Sequence, residues 1–170
     1  MTDVSFRPAS VADVGVLADM YNHYVRTSTV TFDLEPWTAA DMEHKLEVVD
    51  ALGMPFIVAE LEDDLIGYAY LSTFREKAAY DTTMENTLYL REDARGMGLG
   101  RLLLDESVRR GAEAGVREVI AVIASTPDAT PSIRLHEKAG FVRVGEMNNV
   151  GRKFDEWIGV VMMQKSLVTD

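Results

Sequence analysis

Hydrophobic and polar positions change their spacing repeatedly along the chain, and each change marks an expected secondary-structure element. Alternating or continuous apolar runs predict β-strands at residues 4–7, 56–61, 65–73, 84–90, 119–124, 141–147 and 157–164. Helical spacing predicts helices after Ser10, at 38–50, at 98–115 and at 128–139, the last with Thr130 as its N-cap. The order β-α-α-β-β-β-α-β-α-β-β indicates an α/β (α+β) domain with a mixed, mostly antiparallel sheet.

The composition is typical of one globular domain. A chain of 170 residues with 47% hydrophobic and 26% charged residues can bury a core, so we expect a single domain over residues 1–170. The net charge of −11 argues against a nucleic-acid or membrane partner, because an anionic partner requires a basic face. No segment has the pattern of a signal peptide or a membrane span, so a cytoplasmic enzyme is expected.

The residue types exclude some chemistry. Without cysteine, the chain has neither a disulfide nor a thiol nucleophile. His23, His44 and His136 lie far apart without the spacing of metal ligands, so no metal site is predicted.

A glycine-rich turn separates the strand ending at Leu90 from the following helix. The turn contains, in order, Arg95, Gly96, Met97, Gly98, Leu99, Gly100 and Arg101. Glycines let backbone N–H groups approach an anion closely, and the positive end of the helix dipole favours negative charge there. The turn lacks the Lys-Ser/Thr of a P-loop and the third glycine of a dinucleotide fingerprint. We therefore predict a phosphate cradle of another kind.

The spacing Arg95-x-x-Gly98-x-Gly100 resembles the pyrophosphate loop of the GNAT superfamily of N-acetyltransferases, which holds coenzyme A. Further blocks resemble phosphinothricin and methionine sulfone/sulfoximine acetyltransferases, at residues 21–24, 31–36, 79–90, 132–141 and 150–157. The resemblance covers about residues 4–167. It implies the GNAT acyltransferase fold with helices on both faces of the sheet, acetyl-CoA as co-substrate, no metal, a small-molecule amine as acceptor, and a homodimer.

The resemblance also implies roles for individual residues. Glu85 is the candidate general base, whose low reference pKa of roughly 4.3 requires help from burial or a water relay; the alternative is a solvated glutamate at a strand end. The sheet is expected to open beside this strand, where backbone N–H groups bind the thioester. The cofactor-binding residues implied are Leu88, Tyr89, Leu90, the turn from Arg95 to Arg101, and Ser132.

His136 stands where many members of the superfamily carry a tyrosine that protonates the departing thiolate. A histidine has a pKa suited to the same task. The equal alternative is an imidazole packed and hydrogen-bonded on the buried face of its helix.

An acceptor pocket is implied by matches to the substrate sites of phosphinothricin-type enzymes. Its expected members are Phe32, Arg75, Lys77, Tyr80, Thr87 and Val160. Arg75 and Lys77 suit an anionic or sulfone oxygen, but a solvated charged turn beside Glu76 is the alternative. Phe32 and Tyr80 are equally compatible with core aromatics.

The chain departs from the family pattern after the 119–124 strand. The family has Asn-x-x-Ser at the start of the helix beside coenzyme A, whereas this chain has Ala129-x-x-Ser132. Asp128 is a candidate to replace the missing asparagine, although a carboxylate beside a phosphate carrier is unfavourable. The segment 158–160 also lacks the usual polar pair.

The leading hypothesis is acetyl-CoA-dependent N-acetylation of a small amino acid or an analogue of phosphinothricin, methionine sulfone or methionine sulfoximine. One alternative is acetylation of a protein or peptide N-terminus. A second alternative is a non-catalytic acyl-CoA-binding module, for which a carboxylate at Glu85 has no use.

Overall fold

The computed structural model describes residues 4–168, which form one sheet and the α-helices packed on it. The helices are α1 (Val14–Thr27), α2 (Ala39–Ala51), α3 (Leu99–Glu113) and α4 (Thr130–Lys138). The strands are β1 (Val4–Pro8), β2 (Phe56–Leu61), β3 (Asp64–Thr73), β4 (Thr83–Leu90), β5 (Glu118–Ala124), β6 (Val142–Lys153) and β7 (Glu156–Ser166).

The strands form a 7-stranded sheet in the order β1-β2-β3-β4-β5-β7-β6. Every neighbouring pair is antiparallel except β4 and β5, which are parallel. Their ladder pairs Thr83 with Glu118 and ends where Glu85 lies opposite Ile120. β4 and β5 therefore share only a short stretch of pairing, and a gap opens between them beyond Glu85.

Helices cover both faces of the sheet because its strands bury alternate residues on opposite sides. Phe56 and Val58 of β2 pack with α1 and α2, in a cluster that includes Leu17. The intervening Ile57 packs on the other face with Leu103 of α3. The α/β fold class, the element order and the mostly antiparallel sheet are confirmed.

Two local expectations were wrong. Thr130 is not the N-cap of α4, because a 3-10 turn over Pro127–Ala129 leads directly into the helix and makes Ala129 the cap residue. β6 does not stop at residue 147. A bulge between Met147 and Gly151, with Asn149 at φ 56°, absorbs the polar residues and lets the strand continue to Lys153.

Candidate active site

The gap between β4 and β5 presents backbone groups of β4. Arg91 N–H donates to the Ile66 carbonyl at 2.7 Å, so Leu90 occupies a position of the β3–β4 ladder that makes no hydrogen bond to β3. By strict alternation, Leu88 does the same. The N–H groups of Leu88 and Leu90 thus point towards β5, beyond the last β4–β5 pair. The opening implied by the resemblance is present.

Tyr89 is oriented differently from its two neighbours. Alternation directs its N–H group towards β3. Its ring packs on the α1 face, 5.1 Å from the Tyr21 ring and 5.5 Å from the Tyr24 ring between centroids. Tyr24 in turn donates its hydroxyl to the Leu90 carbonyl. Of the 88–90 segment, Leu88 and Leu90 are therefore the residues whose N–H groups face the gap.

The glycine-rich turn follows directly and forms a nest of unpaired N–H groups. Gly96 and Gly98 have φ values of 79° and 81°, a conformation that side chains disfavour. In the part of the chain that the structure describes, no N–H group from residue 96 to 100 donates to a protein acceptor. Their neighbours on either side do: Arg95 N–H donates to Glu92, and Arg101 N–H to Gly98. These groups lie at the N-terminus of α3 and fit a diphosphate.

The two arginines that flank the turn have different surroundings. Arg101 donates through Nε to Asp105 at 2.6 Å and through its guanidinium to the Lys138 carbonyl at the end of α4. The charged group of Arg101 therefore links α3 to α4. The predicted contact of Arg101 with the cofactor is supported only by its position next to the turn. Arg95 is exposed, and its charge lies close enough to Tyr24 to lower that hydroxyl's pKa, against the larger effect of burial.

Glu85 is half-buried at the last β4–β5 pair. By alternation its side chain shares the α1–α2 face of the sheet with Thr87 and Tyr89. Burial raises the pKa of the Glu85 carboxyl, and the nearby charge of Lys45 partly opposes this effect. A raised pKa makes the carboxylate a better proton acceptor near neutral pH, as a general base requires.

Phe32 lies where the loop after α1 meets the β6–β7 hairpin. Its ring covers Gly151 so closely that a Cβ built at Gly151 would be 2.4 Å from it. Beside it, buried Lys153 donates from Nζ to the Thr31 carbonyl at 2.9 Å. The Phe32 side chain remains 39% exposed, so it is a wall residue anchored on one side and open on the other.

Arg75, Lys77 and Tyr80 lie exposed in the loop between β3 and β4. The Arg75 guanidinium lies 5.1 Å from the centroid of Phe74, and Tyr80 packs edge-on against the same ring. Among residues 4–168, no hydrogen bond or ion pair engages either cationic head. Thr87 lies on β4 beside Tyr70, whereas Val160 is 6% exposed inside β7.

His136 is 3% exposed and edge-on to Phe141. Its Nδ1 lies 2.8 Å from the Ser132 carbonyl, one turn earlier in α4, and its Nε2 lies 3.3 Å from the Asn86 amide. Burial lowers the pKa of the imidazole. These contacts match those of a packed, hydrogen-bonded histidine. The Ser132 carbonyl is engaged by this contact, and its side chain is half-buried in the first turn of α4.

Asp128 takes part in a contact with the end of α1. Its carboxylate accepts from the hydroxyls of Ser28 at 3.3 Å and Thr29 at 3.5 Å. The same Thr29 hydroxyl oxygen lies closer to the Thr126 hydroxyl oxygen, at 2.9 Å. The divergent loop after β5 is therefore attached to α1, and these contacts do not make Asp128 a substitute for the family's asparagine.

Sequence reasoning missed Lys45 and Asn86. Lys45 had a local signal, because it stands in the inward stripe of α2 with Met42 and Val49, where a lysine is unusual. Asn86 had none, since its side chain meets α4 only in the folded chain. Within residues 4–168, no helix is long and apolar enough to cross a membrane, and no group of three or more His, Asp or Glu is placed to hold a metal.

Comparison with known proteins gives a consistent result. Residues 17–141 match the model of the acetyltransferase (GNAT) family. A phosphinothricin N-acetyltransferase of Alcaligenes faecalis is 37% identical over 91% of this chain and 78% of its own length. An L-methionine sulfoximine/L-methionine sulfone acetyltransferase of Pseudomonas aeruginosa is 33% identical over 96% of this chain and 94% of its own.

A solved structure resembles this chain over nearly its whole length. It is a phosphinothricin acetyltransferase of Sinorhizobium meliloti in complex with acetyl-CoA, at a TM-score of 0.92 and 36% identity. The match covers 98% of this chain and 89% of that one.

Proposed function

Because the chain belongs to the acetyltransferase (GNAT) family and is an N-acetyltransferase, we propose that it acetylates the primary amine of a small amino acid or analogue. The acceptor proposed is of the phosphinothricin, methionine sulfone or methionine sulfoximine type, the substrates for which its relatives are named. Acetyl-CoA supplies the acetyl group as an activated thioester. The nest of N–H groups from residue 96 to 100 suits its diphosphate.

One observation carries the proposal. The last β4–β5 pair positions a half-buried carboxylate, Glu85, on the same strand as the gap-facing N–H groups of Leu88 and Leu90. A base next to oxyanion donors is what amide formation from an amine and a thioester requires. A binding module has no need of the carboxylate.

The mechanism proposed is direct attack. Glu85 takes one proton from the acceptor ammonium, directly or through water, and leaves a neutral amine. As the C–N bond forms, the backbone N–H groups of Leu88 and Leu90 stabilise the oxyanion. The C–S bond then breaks, and the sulfur takes up the proton that the amine nitrogen loses. His136 makes the contacts of a packed side chain, with the Ser132 carbonyl and the Asn86 amide, so it takes no part in the proton transfers of this mechanism.

The acceptor side supports a small anionic or strongly polar substrate. Arg75 and Lys77 carry cations that no described side chain neutralises. We assign apolar and hydroxyl contacts with the acceptor to Phe32, Tyr80 and Thr87, and a further apolar contact to Val160 of β7. We propose that the two cations bind the phosphinate or sulfone end of the acceptor.

The test is a panel of methionine sulfone, methionine sulfoximine, phosphinothricin and peptide N-termini, assayed by thiol release from acetyl-CoA. The expected result is turnover of at least one of the small acceptors and a loss of about 100-fold in Glu85→Gln. The matched control is Glu137→Gln, an exposed carboxylate on α4. Turnover of peptides alone, or full activity in Glu85→Gln, contradicts the proposal.

We propose a homodimer that pairs through the β6–β7 side of the sheet. β6 is an edge strand, and apolar side chains are exposed along the hairpin, with Val142 63%, Val144 52% and Trp157 66% accessible. Sedimentation of Val144→Lys is the test: a dimer that becomes a monomer is expected. A monomeric wild type contradicts it.

We also propose a cytoplasmic location, because acetyl-CoA is supplied there.

A further inference from the structure

Lys45 reaches the acceptor side of the sheet from α2. It shares the inward stripe of that helix with Met42 and Val49, which are 1% and 0% exposed. Its Nζ lies 5.8 Å from the centroid of the Tyr70 ring. Tyr70 belongs to β3 opposite Thr87, so this ammonium lies over the strand pair that carries Glu85.

The charges of Lys45 and Glu85 affect each other without forming an ion pair. The charge of Lys45 lowers the pKa of the Glu85 carboxyl, against the larger effect of burial. Among the described residues, no carboxylate oxygen lies within 4.0 Å of the Lys45 Nζ, so Lys45 forms no ion pair. Both side chains are half-buried. At this separation the electrostatic attraction between the two charges is weaker than it is in an ion pair. A gap between a cation and an anion suits a molecule that carries both charges.

We propose that Lys45 binds the α-carboxylate of the acceptor while Glu85 receives its ammonium group. This assignment rests on the proposed function and narrows the acceptor to α-amino acids with a free carboxylate. A zwitterion presents its two charges a few ångströms apart, so each meets a complementary partner across the gap. Arg75 and Lys77, on the loop after β3, then recognise the other end of the molecule.

The cations of the site then have different roles. Lys45 binds the α-carboxylate, which all α-amino acids share, and the cations of the β3–β4 loop bind the side chain of the acceptor. Lys45 is a specificity residue for ground-state binding, so its loss raises KM more than it lowers kcat.

The experiment compares methionine sulfone with its carboxamide, which keeps the amine and the sulfone but lacks the negative charge. Lys45→Met keeps the apolar stem. Both enzymes are assayed at pH 8.5, well above the ordinary pKa of a carboxyl, because loss of the Lys45 charge raises the pKa of Glu85 further. The expected result is a KM for the acid that rises about 10- to 100-fold, as for a lost charge-assisted hydrogen bond. The KM values for the carboxamide and for acetyl-CoA should change by less than about threefold.

Two further variants separate charge from packing. Lys45→Arg restores the cation and should recover most of the preference for the acid. Lys77→Met should weaken the acid and the carboxamide by the same factor, because it removes contacts with the sulfone end. Unfolding temperatures of all variants confirm that the fold is retained.

The outcomes are distinguishable. Equal loss of the acid and the carboxamide in Lys45→Met overturns the carboxylate contact and leaves the proposed function standing. A wild-type enzyme that acetylates both compounds with the same KM does likewise. A wild type that acetylates neither compound, while acetylating peptide N-termini, overturns the proposed function and this assignment together.

Discussion

Asn86 donates an amide N–H to Nε2 of His136, at 3.3 Å, between β4 and α4. The direction follows from the other ring nitrogen: Nδ1 faces the Ser132 carbonyl, which can only accept, so Nδ1 carries the proton. Burial lowers the pKa of the imidazole, which favours this neutral form at pH 7. The pair joins α4 to the strand that carries Glu85, and it leaves Asn86 Oδ1 buried without a protein partner in the described chain.

Replacing His136 by Phe tests its role. The ring can keep its contact with Phe141, but the Asn86 amide loses its acceptor, so the unfolding free energy should fall by about 1–3 kcal/mol. Because the imidazole is neutral, kcat should fall less than about tenfold and the pH profile should keep its shape. Thermal unfolding and pH–rate profiles measure both. A 100-fold loss of kcat, with an altered alkaline limb and unchanged stability, would instead make His136 the proton donor.

Gly98→Ala should weaken acetyl-CoA binding by about tenfold. No atom lies within 4 Å of the Cβ position, so the cost comes from φ 81°, where a side chain is disfavoured by about 1–2 kcal/mol. Calorimetric titration measures the affinity. Gly15→Ala is the matched control, since it adds a methyl in open space within α1 at an ordinary φ and should leave the affinity unchanged. Equal affinities for wild type and Gly98→Ala would contradict the cradle.

The acidic limb of kcat/KM should report Glu85 and lie above the ordinary carboxyl pKa of 4.5, because burial raises it. Below the raised pKa the carboxyl is protonated and accepts no proton, so the rate falls. The limb should disappear in Glu85→Gln, measured on the residual activity. Its persistence in that variant would assign it to another group.

Glu85 should also lower stability at neutral pH. A carboxyl whose pKa is raised on folding binds its proton more tightly in the folded state, so stability increases as pH falls through that pKa. Glu85→Gln removes the buried charge and should therefore raise the unfolding temperature at pH 7, with a smaller effect at pH 4. Scanning calorimetry at both pH values measures this. A lower unfolding temperature at pH 7 would mean that the carboxylate is stabilised in the fold.

Asp13→Asn should destabilise the protein above pH 4. Arg7 donates to both oxygens of Asp13 at 2.8 and 2.9 Å and holds the pKa of its carboxyl at about 2. A lowered pKa stabilises the folded state above the unfolded value of 3.8, and this contribution is lost as pH falls towards 2. We expect a loss of about 1–2 kcal/mol at pH 7, by urea unfolding. Asp105→Asn, with an exposed side chain, should cost less.

The sequence by itself determined the elements and the anion-binding turn. Their signals are local: apolar periodicity defines each strand and helix, and glycine at 96 and 98 permits the positive φ values that collect N–H groups at the start of α3. The position of Glu85 at the end of a strand was equally visible. The predicted N-cap at Thr130 was wrong because a preceding 3-10 turn leads directly into α4 and makes Ala129 the cap residue.

Only the tertiary structure decided what each side chain of the site contacts. Arg101 joins the Lys138 carbonyl, Phe32 covers Gly151, and Lys45 faces the strand of Glu85. These partners lie tens of residues apart in the chain, and packing of the helices and the β6–β7 hairpin on the sheet brings them together. A cation's task depends on which carboxylate or carbonyl lies beside it after folding, and no local pattern contains that information.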